Sequence, residues 1–93
     1  MKIELIKFGE MLVSRPAGRE AYLVMSAYII RGVPRTTHIE IDFIGVKVLA
    51  PGWADEVVTK LAEEFPHVTI SHTTNSSVKA TLDTLREYSG LKV

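Results

Sequence analysis

Apolar and polar positions alternate strictly from His38 to Phe43, with Ile39, Ile41 and Phe43 on one side and His38, Glu40 and Asp42 on the other. A period of two marks a strand with one buried face. A short apolar segment follows (Val46, Val48, Leu49), then the turn Ala50-Pro51-Gly52. Beyond the turn the period changes. Trp53, Val57, Leu61 and Phe65 recur every four residues with Ala54, Val58 and Ala62 beside them, so they define a broad helical stripe that Pro66 ends. Asp55 and Glu56 fall in its first turn, where carboxylates suit the positive end of the helix dipole. Thr37 to Pro66 therefore predicts a strand, a glycine-containing elbow and a helix. The elbow is where a site is expected.

The flanking segments follow the same two periods. Lys2 to Phe8 begins as a strand, with Ile3 and Leu5 on one face, but Ile6 and Phe8 fall on the other. A bulge, or a strand leaving its sheet at Gly9, accounts for that slip. Met11 to Val13 reads as a second short strand. Ser14 is a candidate cap for a first helix in which Ala17, Ala21, Val24 and Tyr28 form a stripe and Gly18 sits inside; Gly32 and Pro34 end it. His67 to Ser71 alternates again, and Asn75 or Ser76 caps a last helix built on Val78, Leu82 and Leu85. Strands alternating with helices argue for βαβ crossovers, yet the strands keep a polar face, which helices on both sides would not allow. The expected fold is a two-layer α/β domain over residues 1–93. It has a mixed, mostly parallel sheet of about four strands, with three helices mainly on one face.

The bulk numbers bound the function. Ninety-three residues allow one domain, and 46% hydrophobic with 24% charged residues is an ordinary globular composition. Eleven basic residues balance eleven acidic ones, which argues against nucleic acid as a partner and leaves a homodimer open. No cysteine is present, so thiol catalysis, disulfides and cysteine-based zinc sites are excluded. No signal-like segment and no apolar run of membrane-spanning length occurs, so a cytosolic protein without a membrane partner is expected.

The run IEIDFIGVKVLAPGWADEVVTKL resembles the signature of the STAS-like domain of unknown function. The residues that carry the resemblance are Asp42, Phe43, Gly45, Val46, Trp53, Ala54, Asp55 and Glu56, with Ser14 and Arg15 matching a Ser-Arg pair before the first helix. Trp53 stands where that family more often has phenylalanine. The resemblance implies kinship with STAS domains, whose best understood members are anti-sigma-factor antagonists, and hence a module that works by binding proteins. Its implied partner is an anti-sigma-type or histidine-kinase-like ATPase. In the antagonists a serine at the start of the corresponding helix is phosphorylated. Here Ala50, Pro51 and Gly52 span that junction, and none carries a hydroxyl.

The candidate binding residues are accordingly Ser14, Arg15, Pro51, Gly52, Trp53, Asp55 and Glu56. Trp53 reads first as a core residue, Asp55 and Glu56 as surface residues matched to the dipole, and Ser14 and Arg15 as a cap pointing into water. The alternative for the elbow is a small-ligand or nucleotide sensor using the amides at Pro51-Gly52-Trp53. Asp55 and Glu56 would repel an anion there, which favours a protein partner. Asp42, Glu40 and His38 offer a possible titrating cluster, with a solvated or helix-capping face as its simpler account. His38, His67 and His72 match no ligand spacing, and no phosphate loop or nucleophile motif occurs. No metal, cofactor or enzymatic activity is expected.

Overall fold

The computed structural model of the chain describes residues 1–93. Its central strand, β3 (Ile39–Asp42), lies between β1 (Lys2–Glu4) and β5 (Val68–Ser71), and both neighbours run parallel to it. Ile41 sits in register with Ile3 and Ile70, and Asp42 with Glu4 and Ser71. A second, two-stranded parallel ladder joins β2 (Met11–Leu12) to β4 (Val48–Leu49). The sheet is thus parallel throughout and divided into two ladders, rather than mixed. A strand that returns through a helix comes back in the same direction, and every strand pair here has a crossover between its members.

Three helices complete the domain. The first, α1, runs from Arg15–Val24 into a π-helical turn, Met25–Ile29. The second, α2, is continuous through Pro51–Ala54, a π-helical turn at Asp55–Thr59, and Lys60–Glu64. The third, α3, is Ser76–Tyr88. Ser14 caps α1 by accepting from the Ala17 amide at 3.2 Å, and Asn75 caps α3 by accepting from the Val78 amide at 3.1 Å. No helix is long and apolar enough to cross a membrane.

The period-two alternation is what separates the layers. Ile3, Ile39, Ile41 and Phe43 are buried on one face, in one core with Trp53, Val57, Leu61, Phe65, Leu82 and Leu85. The other face carries Lys2, Glu4, Glu40, Asp42, Thr69 and Ser71. Helix α2 packs against both α1 and α3. Its π-helical turn brings Glu56, Val57, Val58 and Thr59 all inside, a wider buried arc than a regular helix presents. The expected slip after Leu5 is real but is not a bulge. Leu5–Phe8 forms a turn of 3₁₀-helix, with Leu5 buried and Phe8 packed 6.4 Å from the Trp53 ring.

Candidate functional site

The elbow is built where two helix N-termini meet. Pro51 opens α2, its fixed φ suiting the first helical position. Trp53 is 2% exposed, so it fills the core at the head of its stripe. Helix α1 crosses directly over it. A methyl group added at Gly18 would lie 2.7 Å from the Trp53 carbonyl oxygen and 2.8 Å from its Cα. The glycine inside α1 is therefore what lets the two backbones touch, and this contact outweighs its lower helix propensity. Gly52 meets the same face of α1 one turn earlier, its would-be Cβ lying 3.3 Å from the Arg15 backbone nitrogen.

Charge closes the same junction. One Arg15 nitrogen donates to Asp55 Oδ2 at 2.9 Å and to Glu56 Oε2 at 2.8 Å. Lys60 Nζ donates to Glu56 Oε1 at 2.7 Å, and Arg19 approaches the same oxygen at 3.7 Å. Glu56 is buried in the centre of this cluster, which corrects the expectation that it lies on the surface. Arg15 likewise does not point free into water. Burial works to raise the Asp55 carboxyl, but the hydrogen bond from Arg15, the hydroxyls of Ser89 and Thr59 and the charge of Arg15 together outweigh it and hold the group below its ordinary value. Hydrogen bonds from Lys60 and then Arg15 lower Glu56 in the same way, and the two carboxylates raise the Arg15 guanidinium. The first-turn carboxylates are thus engaged within the chain.

What remains open at the elbow is apolar. Leu12 turns inward, so Met11 and Val13 turn out, and they are 65% and 42% exposed. Leu12 pairs with Leu49 and accepts from the Ala50 amide at 2.9 Å, which places Val13 beside Ala50 and the exposed Pro51. Sequence reasoning missed Met11 and Val13 as part of this site. Their signal was the alternation around Leu12, visible only once β2 is known to lie against β4. Ser14 stands exposed between Val13 and Arg15.

A second polar cluster lies on the open sheet face. Asp42 is buried, and its Oδ1 accepts from the Ile44 amide at 2.9 Å and pairs with His72 Nδ1 at 2.7 Å; Lys2 Nζ lies 3.8 Å from Oδ2. Ser71 donates to Glu40 at 2.8 Å, and His38 pairs with the Thr69 hydroxyl at 2.8 Å. Asp42 thus closes the loop after β3 and meets His72, while His38 and Glu40 each pair with β5. Burial pushes the Asp42 carboxyl upward, but the Ile44 amide and His72 outweigh it and hold the group below its ordinary value. No three His, Asp or Glu side chains converge as a metal site would need. The one cavity, about 340 Å³, is lined by Thr59, Ala62, Glu63 and Ser89–Lys92; Thr59 and Ser89 also lie against Asp55, so it borders the elbow cluster and not the sheet face.

A family described as a STAS-like domain of unknown function matches residues 31–79, just over half of the chain. The matched segment contains β3, the elbow, α2 and β5 but leaves out Ser14 and Arg15. No curated protein and no solved structure matches the chain.

Proposed function

The chain belongs to the family of STAS-like domains of unknown function, and from that premise we propose that it is a non-catalytic regulatory module that binds a protein through its elbow. The observation that carries this reading is the pair Met11 and Val13, exposed along the strand that leads up to Pro51, at a junction that is otherwise packed and internally neutralised. Exposed apolar side chains on a rigid support are what a partner can bury at little entropic cost. A small ligand would need a concave site, and none of Pro51, Gly52 and Trp53 lines the cavity beside Asp55.

Kinship with anti-sigma-factor antagonists makes an anti-sigma-type or histidine-kinase-like ATPase the partner to seek. Because Ala50, Pro51 and Gly52 have no hydroxyl, partner exchange here does not use phosphorylation at that junction.

Gly52 is a poor place to disrupt the surface, since any side chain there presses on Arg15. Capture from cell lysate should instead compare wild type with Met11→Glu, Val13→Glu and, on the open sheet face, Thr69→Glu. The expected result is an ATPase retained by wild type and Thr69→Glu but lost by both elbow variants. No captured protein, or one that binds all four alike, would overturn the proposal.

A further inference from the structure

Helix α1 turns Gly18, Ala21 and Met25 inward and leaves an outward stripe that nothing in the chain covers. Its apolar members are Leu23, 63% exposed, Val24, 46%, Ala27, and Tyr28, 84%. Glu20 precedes them on the helix and Arg31 follows them in the turn just past its end at Ile29, both exposed and neither joined to any ion pair within the chain. The order is charge, large, medium, small, large, opposite charge. Reversed, it nearly matches itself.

We propose that this stripe is a self-association surface, on which a second copy of the chain pairs antiparallel about a two-fold axis passing between Met25 and Ser26. That register places Leu23 against the partner copy's Tyr28, and Val24 against its Ala27. At each end Glu20 meets the partner copy's Arg31. A two-fold interface requires such self-complementarity, because each patch must recognise its own image. The register also gives each of the two unpaired charges an opposite partner. Ala27 opposite Val24 leaves room for the helix axes to approach.

Other arrangements fit less well. A parallel pairing would set Glu20 against Glu20 and Arg31 against Arg31, which like charges oppose. A net charge of zero adds no long-range repulsion between copies. From Glu20 to Tyr28 the helical part of the stripe spans about 12 Å at the helical rise, so the dimer belongs to the small, exchanging class rather than the obligate one. The stripe is centred away from Met11, Val13 and Pro51, so this inference stands or falls separately from the elbow.

The test is sedimentation equilibrium of the full chain over a wide concentration range at low salt, with circular dichroism confirming the fold of each variant. Wild type should show a monomer–dimer equilibrium, and Leu23→Glu should be monomeric throughout. Glu20→Arg and Arg31→Glu should each weaken the dimer on the order of tenfold, and the double variant Glu20→Arg/Arg31→Glu should recover it. Three results would each overturn the proposal: a wild type that stays monomeric at millimolar concentration, a dimer indifferent to these substitutions, or single losses that the double variant does not restore.

Discussion

The elbow and the open sheet face are two polar clusters made from the same kinds of residue, yet they do different physical work. At the elbow, Arg15, Arg19, Lys60, Asp55 and Glu56 surround a junction where two helix backbones already touch at Gly18 and Trp53. On the sheet, Asp42 sits in the hydrogen-bonded ladder between Glu4 and Ser71 and ties the strand end to a loop through His72 and the Ile44 amide. In the first region, packing fixes the geometry and charge completes it. In the second, the hydrogen bonds are themselves the geometry. The first should therefore answer most to steric change, and the second to protonation.

The sharpest way to break this contrast is Gly18→Ala. Overpacking against backbone sits at the upper end of the usual range, about 3 kcal/mol, and the gain in helix propensity returns about 1 kcal/mol. The expected net loss is about 2 kcal/mol, read from urea unfolding at neutral pH. An unchanged midpoint would show that the helices do not cross as closely as this.

Next in size is Glu56→Gln. It keeps the shape but leaves Arg15 and Lys60 without their shared carboxylate, so the urea midpoint should fall, by less than for Gly18→Ala.

Asp42→Asn should act mainly through pH. A carboxyl held below its unfolded value adds stability that is present above that value, near pH 4, and disappears as the pH falls through the folded one. Asp55 and Glu56 have the same sign. Asp42→Asn should therefore flatten the acid limb of a stability–pH curve without abolishing it. An acid limb identical to wild type would remove Asp42 from the account.

The smallest effect belongs to Arg19→Ala. Its guanidinium is 3.7 Å from Glu56 and largely exposed, and pairs with an exposed member contribute at most about 1 kcal/mol. A larger loss would mean that the elbow charges act as one network.

Much of the scaffold was legible in the sequence because it is periodic. The alternation at Ile39–Phe43 marked β3, and the Trp53–Val57–Leu61–Phe65 stripe marked α2. Ser14 and Asn75 announced two helix starts. The missing parts are those set by contacts distant in sequence. Nothing local tells that Gly18 faces Trp53, that Glu56 is enclosed by Arg15 and Lys60, or that Asp42 pairs with His72 rather than grouping with His38 and Glu40. The Leu5–Phe8 turn was visible only as a broken alternation, a signal that a bulge and a 3₁₀ turn share. All seven candidate residues lie around one junction, but the apolar edge from Met11 to Val13 needed the β2–β4 pairing to appear beside them.

The most direct test of the partner-binding account is an amide chemical-shift titration of the labelled domain with its captured and purified partner. The account predicts that perturbations gather at Met11, Val13, Arg15 and Gly52, while Lys2, Glu40, Thr69 and His72 stay still. Perturbations confined to the sheet face, with the elbow unmoved, would contradict it.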